Sequence, residues 1–153
     1  MEPLSLELRS AEETRALGRK LGGLLREGDF IALVGELGAG KTLLVRGAAE
    51  GAGAEAATSP SFALVNVYRG GRVPLQHLDL YRLAGASELF ALGFDELLAE
   101  PAATLCEWAD RAGGALPAAR LEIRLEIAGS EERRARIAPH GDRAGELLRA
   151  LQA

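Results

Sequence analysis

A glycine-rich octapeptide constrains the fold of this chain more than any other feature of its sequence. It reads GELGAGKT and spans residues 35–42. The preceding run, DFIALVG at residues 29–35, is short and apolar and ends in glycine, which is typical of a buried strand. The residues that follow, KTLLVRGAAEGAG, have a helical composition until their own glycines end the helix. A strand that passes through a glycine turn into a helix begins a unit with a parallel sheet, so we predict an α/β fold.

The octapeptide also satisfies the pattern G-x-x-x-x-G-K-[ST] in the strand–loop–helix context that the pattern requires. Its glycines allow backbone N–H groups to surround phosphate oxygens at the positive end of a helix dipole. Lys41 supplies an ammonium that reaches between β- and γ-phosphates, and Thr42 supplies a hydroxyl for Mg²⁺. The loop therefore predicts binding of a nucleoside triphosphate with magnesium. The loop residues expected to contact the nucleotide are Glu36, Leu37, Gly38, Ala39, Gly40, Lys41, Thr42 and Leu43.

The basic residues of the chain make Lys41 stand out. The chain has only two lysines beside sixteen arginines. A lysine retained against this preference indicates a position that requires a compact ammonium and not a wide guanidinium. We therefore assign Lys41 a catalytic role together with Thr42.

Two carboxylates are candidates to complete the metal site. Glu107 follows the mostly apolar residues ATLC, and Asp79 ends a strand candidate in LQHLDLYR. Magnesium bound beside a phosphate loop needs a carboxylate at the end of a neighbouring strand. We therefore assign Asp79 and Glu107 to catalysis and to metal binding with Thr42, and the sequence leaves open which of them contacts Mg²⁺ directly. The competing interpretation of each acid is a solvated or capping carboxylate. His77 is predicted to lie on the same strand face as Asp79, and a structural role is the more common interpretation of such a histidine than a catalytic one.

The rest of the first half of the chain alternates predicted strands and helices. LSLELR at residues 4–9 has the alternation of a half-buried strand. Ser10 and Glu13 have capping-box spacing, and the apolar pattern after them predicts a helix to about Gly28. FALVNVYR and RVPLQHLDLYRL flank the pair Gly70–Gly71, which predicts a β-hairpin.

The second half continues this alternation. SELFALGFDELLAE predicts one or two helical pieces interrupted at Gly93. ATLCEW predicts a buried strand, and ADRAGGALP after it predicts a loop. ARLEIRLEIAG and RRARIAP predict a second hairpin across the turn GSEE. The last residues, GDRAGELLRALQA, predict a closing helix. We predict one domain over residues 1–153 with a P-loop NTPase-like fold of three layers. Its central sheet is expected to be mixed and largely parallel, with antiparallel hairpins added.

Three further features bear on the predicted site. TSPSF at residues 58–62 lies between the helix after the loop and the first hairpin, where a nucleotide-sensing switch or a plain turn is expected. Trp108, beside Glu107, is expected near the nucleotide, whereas Cys106 faces the other side of its strand and is expected to be buried and unreactive. Arg133 belongs to a short charge run and is predicted to contact nucleotide or tRNA, with a solvated hairpin tip as the alternative. The residues of the switch-like segment are Ser59, Pro60, Ser61 and Phe62.

Composition excludes several classes of protein. The net charge of −4 argues against broad nonspecific binding of nucleic acid. A single cysteine excludes an internal disulfide and fits a reducing compartment. The polar N-terminus does not resemble a secretory signal, and no apolar run is long enough to span a membrane. We therefore expect a cytoplasmic protein without a membrane partner.

The absence of several motifs excludes some classes of nucleotide-binding protein. A GTPase needs a guanine-reading N-K-x-D element, which the chain lacks, and Asp79 is not followed by the glycine of a D-x-x-G switch. Motors and large regulatory ATPases bring more chain than 153 residues. From the residues alone, a small-molecule P-loop kinase and a slow ATPase that acts as a conformational switch both remain.

Taken together, the motifs resemble one family, the bacterial TsaE (YjeE-type) P-loop ATPases of tRNA threonylcarbamoyladenosine synthesis. Two departures from the family pattern are Ser61, where threonine is common, and Ala109, where proline often follows the tryptophan. The resemblance covers nearly the whole chain, with its motifs in family order. The matching stretches are GELGAGKT at 35–42, SPSF at 59–62, HLDLYRL at 77–83, Gly93, and CEW at 106–108.

The resemblance implies an accessory subunit that binds ATP and Mg²⁺ and hydrolyses ATP slowly. Its implied partners are the TsaB–TsaD pair, of which TsaD transfers the threonylcarbamoyl group to the adenosine beside the anticodon in tRNAs that read codons beginning with A. Contact with tRNA itself is expected to be indirect. Carried over by position, the resemblance implies that Lys41 and Thr42 handle phosphate and Mg²⁺ and that Trp108 lies near the nucleotide or a partner. A small-molecule P-loop kinase and a module that binds ATP without cleaving it are the alternatives.

Overall fold

The structure is a computed structural model that describes residues 2–56 and 65–153. The predicted switch-like segment, Ser59 to Phe62, lies outside the described residues. In the described part of the chain, no helix combines the length and the apolar character needed to cross a membrane.

The described residues form eight strands, five α-helices and one 3₁₀ helix. The strands are β1 (Leu4–Leu8), β2 (Phe30–Val34), β3 (Glu55–Ala56), β4 (Val65–Arg69), β5 (Leu75–Asp79), β6 (Ala103–Glu107), β7 (Arg120–Ile127) and β8 (Arg133–His140). The helices are α1 (Ala11–Gly22), α2 (Lys41–Ala52), α3 (Ala86–Ala91), α4 (Phe94–Leu98), α5 (Asp142–Gln152) and the 3₁₀ helix Ala109–Ala115.

All eight strands join one sheet in the order β1-β8-β7-β2-β6-β5-β4-β3. The four central strands run parallel, since β2 pairs in parallel with both β7 and β6, and β6 pairs in parallel with β5. The outer pairs are antiparallel and include the two predicted hairpins, β4–β5 and β7–β8. The predicted mixed sheet, parallel at its centre and extended by antiparallel hairpins, is confirmed.

Strand β2 shows why the fold has three layers. All five of its side chains are buried, and they alternate between two apolar cores. Ile31 and Leu33 belong to the core beneath α1, α2 and α5, whereas Phe30, Ala32 and Val34 belong to the core beneath α3, α4 and the 3₁₀ helix. A strand buried on both faces must be apolar throughout, which explains the unbroken run FIALV. The chain therefore has the predicted P-loop NTPase-like α/β architecture.

Helices α1 and α2 approach so closely that glycines on both helices lie at their contact. A Cβ atom on Gly51 would lie 2.0 Å from the carbonyl oxygen of Arg19, and one on Gly22 would lie 2.0 Å from that of Ala48. Both distances are far below any real contact, so the two backbones touch only because these side chains are absent. This contact fixes α2, the helix that begins at Lys41, against α1.

Two sequence predictions were wrong in their details. The first helix ends at Gly22 and not near Gly28, because the chain turns at Gly23 and enters β2 through further turns. ADRAGGALP was predicted as loop, yet Ala109–Ala115 forms a 3₁₀ helix. Residues three apart lie on one side of a 3₁₀ helix, and Ala109 and Ala112 are both buried against the sheet. The predicted interruption at Gly93 is confirmed, since this glycine, with φ of 87°, separates α3 from α4.

The sheet brings the predicted site residues to one edge. The loop at Gly35 follows β2, Asp79 ends β5 and Glu107 ends β6. Glu107 pairs in register with Leu33 on one side and with Asp79 on the other. The carboxyl ends of adjacent parallel strands meet at one edge, which is where open α/β sheets place their ligands.

Candidate functional site

The loop of residues 35–42 has the backbone conformation that its glycines predict. Gly35, Gly38 and Gly40 have φ angles of 155°, 84° and 103°, which other residues rarely adopt. Gly40 passes the chain directly into α2, whose first residue is Lys41. Leu37 projects from the loop with 74% of its surface exposed, whereas Ala39 is fully buried beneath it. Glu36 is exposed, Thr42 is exposed and Leu43 is half-buried in the first turn of α2.

Lys41 folds back over this loop. Its Nζ atom donates hydrogen bonds to the carbonyl oxygens of Gly35 and, at 3.1 Å, of Glu36. The same atom lies 4.0 Å from the centroid of the Trp108 ring. Burial lowers the pKa of this ammonium, while the nearby carboxylates of Glu107, Asp110, Asp79 and Glu36 oppose the shift. Lys41 is therefore a largely desolvated cation at the mouth of the loop.

Glu107 lies at the centre of the site and is 3% exposed. The Thr42 hydroxyl is 3.0 Å from both of its carboxylate oxygens. The Nε2 atom of His77 lies 2.5 Å from Oε2 of the same carboxylate. A buried carboxylate requires such partners, because an unpaired buried charge is strongly unfavourable. The structure thus unites Thr42, His77 and Glu107, which are far apart in the sequence.

His77 has a closer relation to the site than the sequence indicated. We predicted that it shares a face with Asp79, but its contact is with Glu107 on the neighbouring strand. Its Nδ1 atom is buried and has no hydrogen-bond partner within the described part of the chain. The signal that could have found this contact is its position two residues before the end of β5, beside a strand that ends in a buried acid.

Asp79 occupies a different environment from Glu107. Its side chain is exposed, and Oδ1 accepts a hydrogen bond of 3.0 Å from the backbone N–H of Tyr81. The two acids are cross-strand neighbours in the parallel ladder. One carboxylate at this edge is therefore buried and paired, and the other is open to solvent.

The donor set at this edge fits magnesium. Thr42 and Glu107 offer hard oxygen atoms, which Mg²⁺ prefers, and Mg²⁺ beside a nucleotide takes its other ligands from phosphate and water. Among the described residues, no group of three or more His, Cys, Asp or Glu side chains converges to hold a metal. A metal ion bound through one hydroxyl and one or two carboxylates agrees with both observations.

Trp108 closes one side of the site. It is the only described residue other than glycine with positive φ, at 56°, and this left-handed turn starts the 3₁₀ helix. Its ring lies 5.0 Å from the ring of Tyr81, and the Arg111 guanidinium lies 5.5 Å from Tyr81 and 5.6 Å from Trp108. Trp108 therefore lies beside Lys41 at the end of β6, and its expected proximity to the nucleotide stays a prediction. Tyr81 and Arg111 are neighbours that the sequence analysis did not include in the site.

Arg133 is not part of a solvated hairpin tip. Its Nε and Nη2 atoms donate to the carbonyl oxygens of Ala39 and Gly38, at 3.1 and 3.0 Å. The next arginines in the run differ, because Arg134 pairs with Glu7 and Arg136 with Glu126 at the exposed surface. The predicted contact of Arg133 with the nucleotide stays a prediction, and its contact with the loop is a finding.

Cys106 is fully buried in the core beneath α3 and α4. Burial, and secondarily the charges of Asp79, Glu107 and Asp110, raise the pKa of its thiol well above the ordinary value. A protonated, inaccessible thiol cannot act as a nucleophile, in agreement with the sequence analysis.

Comparison with known proteins identifies close relatives over nearly the whole chain. The sequence model of the family "Threonylcarbamoyl adenosine biosynthesis protein TsaE" matches residues 8–136. The tRNA threonylcarbamoyladenosine biosynthesis protein TsaE of Bacillus subtilis is 37% identical over 152 residues, which covers 99% of this chain and 95% of that protein. The protein of the same name from Streptomyces coelicolor is 43% identical over 118 residues, covering 74% and 79% of the two chains. The crystal structure of Bacillus subtilis YdiB superposes with a TM-score of 0.83 at 33% identity, covering 99% and 95% of the two chains.

Proposed function

The chain belongs to the TsaE family of threonylcarbamoyl adenosine biosynthesis proteins, and on this basis we propose that it is an ATP-hydrolysing accessory subunit of that pathway. In this proposal it binds ATP with Mg²⁺, hydrolyses it slowly when alone, and acts in the cytoplasm through the TsaB–TsaD pair. The pair would then modify the adenosine beside the anticodon of tRNAs that read codons beginning with A. The observation that carries the proposal is the contact of Thr42 with both oxygens of Glu107 beside Lys41.

The chain's own residues suit phosphate binding. The Lys41 ammonium already donates to two carbonyl oxygens of the loop, and phosphate oxygens are stronger acceptors for the same donor. Burial of this cation removes competing water, which strengthens its interaction with an anion. We therefore assign Lys41 to the β- and γ-phosphates of ATP.

Thr42 and Glu107 are the residues that would hold Mg²⁺. When bound, the metal would neutralise charge on the β- and γ-phosphate oxygens. His77 keeps the Glu107 carboxylate in place through its Nε2 contact. This arrangement needs no movement of α2 relative to β6, since the side chains of Thr42 and Glu107 already meet.

Asp79 is the better placed carboxylate for water. It is exposed, lies beside Glu107 in the ladder and is held on one oxygen by the Tyr81 N–H. In the proposed reaction it orients a water molecule in line with the γ-phosphorus and accepts its proton, as the bond to the leaving ADP breaks. The catalysis comes mostly from positioning and charge neutralisation.

Direct recognition of tRNA is not part of the proposal. The net charge of −4 is opposite to the charge that a phosphate backbone attracts. Near the turn between β7 and β8, Arg134 forms an ion pair with Glu7 and Arg136 forms one with Glu126. The contribution of this chain to modification of tRNA would therefore pass through its protein partners.

The test is reconstitution with purified TsaB and TsaD. The wild-type chain should hydrolyse ATP weakly alone, associate with the pair in a nucleotide-dependent way and turn over faster in the complex. Glu107→Gln should abolish hydrolysis, whereas Glu27→Gln, at an exposed site away from the loop, should not.

Three results would contradict the proposal in different ways. If no complex forms with or without ATP, the accessory role fails. If Glu107→Gln supports tRNA modification fully without hydrolysis, the chain is an ATP-binding module. Transfer of the γ-phosphate to a small acceptor in the absence of partners would instead identify a kinase.

A further inference from the structure

We infer that Arg133 is a positioning residue that fixes the phosphate-binding loop from outside and contributes to nucleotide affinity through the loop. The inference rests on the proposed binding of ATP and concerns how that site is held. Arg133 lies 94 and 95 positions from its loop partners, Ala39 and Gly38, and contacts them because β8, of which it is the first residue, begins beside the loop.

The guanidinium group uses all three of its nitrogen atoms. Nε donates to Ala39 O and Nη2 to Gly38 O, while Nη1 donates to Gly129 O at 3.0 Å and Glu132 O at 2.7 Å. One planar group therefore joins the loop to the turn between β7 and β8. A lysine ammonium at this position would have a single nitrogen and cannot reproduce this fork.

The direction of the loop carbonyls explains how this contact affects phosphate binding. In a trans peptide the C=O and N–H groups point in opposite directions. Because the Ala39 carbonyl points to Arg133, the N–H of Gly40 in the same peptide points away from it, toward the opposite side of the loop. A flip of this peptide would present a carbonyl oxygen where an N–H is needed to bind phosphate. The Arg133 contact opposes that flip.

Glycine makes the contact necessary. Gly38 and Gly40 flank Ala39, and both lie in the left-handed region with φ of 84° and 103°. Glycine reaches several backbone conformations at similar energy, so these residues alone do not hold one peptide orientation. Two charge-assisted hydrogen bonds from a side chain supply the missing restraint.

The turn between β7 and β8 is itself anchored. Oε1 of Glu131 accepts a hydrogen bond of 3.1 Å from the backbone N–H of Ala11, at the start of α1. Helix α1 in turn packs on α2 through the glycine contact described above. Arg133 therefore connects the loop to a turn that is tied to the same pair of helices, and the restraint has a rigid support.

The test compares Arg133→Lys and Arg133→Gln with Arg134→Gln, which breaks an exposed ion pair at the next residue of the same strand. Calorimetric titration of the full chain measures the affinity for Mg-ADP and for Mg-ATP. We expect both Arg133 variants to bind both nucleotides about tenfold more weakly, the size of effect expected for loss of charge-assisted hydrogen bonds. Arg134→Gln should bind like the wild type.

Hydrogen exchange gives a readout that does not require nucleotide. The N–H of Ala39 donates a 3.0 Å hydrogen bond to the Glu36 carbonyl within the loop, so it should exchange faster in both Arg133 variants than in the wild type and in Arg134→Gln, at temperatures where all are folded. Unchanged exchange at Ala39 would overturn the inference. Exchange is measured without nucleotide, so it tests the restraint on the loop even if the wild-type chain binds neither nucleotide. A failure of the inference can therefore be distinguished from a failure of the proposed function.

The pattern of affinities discriminates positioning from direct contact. If Arg133→Lys retained wild-type affinity, charge alone would suffice and the fork geometry would be irrelevant. If the loss were confined to Mg-ATP and spared Mg-ADP, Arg133 would contact the γ-phosphate itself. Either result would contradict a role through the loop.

Discussion

The hydroxyl group of Thr42 lies 3.0 Å from both carboxylate oxygens of Glu107. This relationship joins the first turn of α2 to the last residue of β6 and places a hydroxyl and a buried acid at one point beside the loop. Each residue alone has many possible roles. Their contact next to a desolvated lysine supports the proposed binding of phosphate and a divalent cation.

Substitution of Thr42 tests this relationship most directly. Thr42→Ser retains the hydroxyl and should bind Mg-ATP like the wild type. Thr42→Val has a similar shape without the hydroxyl and should lose Mg²⁺-dependent ATP affinity by about tenfold or more, because a charge-assisted contact is removed. Calorimetric titration with and without Mg²⁺ checks both variants. Equal affinity of the serine and valine variants would show that the hydroxyl has no role in binding the metal.

His77 should act through Glu107. His77→Leu removes the Nε2 contact and leaves a buried carboxylate oxygen without that partner, so we expect ATP turnover to fall by roughly 10- to 100-fold. His77→Gln can place an N–H near the same position and should restore part of the rate. The measurement is steady-state hydrolysis together with the affinity for ATP. A loss of affinity for Mg-ADP and Mg-ATP that matches the loss of rate, with no rescue by glutamine, would indicate a purely structural residue.

The contact of α1 and α2 should not tolerate a methyl group. Gly51→Ala would place Cβ 2.0 Å from the carbonyl oxygen of Arg19, so the helices must separate. We expect a loss of about 2 kcal/mol or more in the free energy of unfolding, even though alanine favours the helix itself. Urea denaturation measures the loss. Gly114→Ala is the matched control, since its Cβ would meet no atom within 4 Å, and it should change stability by less than about 0.5 kcal/mol.

Asp29 and Arg143 form a clamp between the start of β2 and α5. Two guanidinium nitrogens lie 2.9 and 3.0 Å from the Asp29 oxygens, and the carboxylate is 4% exposed. Arg143→Ala would leave this buried carboxylate without its cation and should cost about 3 kcal/mol in the free energy of unfolding. Arg136→Ala breaks an exposed pair with Glu126 and should cost less than about 1 kcal/mol. Similar losses for the two variants in urea denaturation would contradict the role given to burial.

Because of Cys106, the free energy of unfolding should depend on pH in the alkaline range. Burial raises the pKa of its thiol in the folded state, whereas in the unfolded chain the thiol titrates near its ordinary value of about 8.5. Above that pH the unfolded state releases a proton that the folded state retains, so the free energy of unfolding falls as pH rises. The contribution of one such group is about 1.4 kcal/mol per pH unit.

Chemical denaturation from pH 7 to 10 measures this dependence. Cys106→Ala should lack the thiol contribution, so the wild type should lose stability more steeply than the variant above about pH 8.5. A native thiol that reacts with iodoacetamide at pH 8 as fast as an unfolded one would contradict the buried, protonated state.

Local sequence predicted most of the secondary structure because the local signals agree with the tertiary packing. Ser10 accepts a hydrogen bond from the Glu13 N–H at the start of α1, as the capping spacing indicated. Glu107 was predicted to end a mostly apolar strand and Asp79 to end a second strand candidate, and both acids are the last residues of their strands. The helix end at Gly22 and the 3₁₀ helix after Trp108 were missed, since backbone packing and a left-handed turn decide them.

The amino-acid sequence was sufficient to predict the glycine-rich loop between β2 and α2 and the acids at the ends of β5 and β6, because each depends on residues adjacent in sequence. It predicted the parallel character of the central sheet from the order of strand, turn and helix along the chain. Tertiary structure alone decided that Glu107 is the buried acid and Asp79 the exposed one, that His77 contacts Glu107, and that Arg133 holds the loop at Gly38 and Ala39. These relationships depend on strand order and register, which bring together residues tens of positions apart. No local pattern specifies that register, because it results from packing of the whole sheet between its two apolar cores.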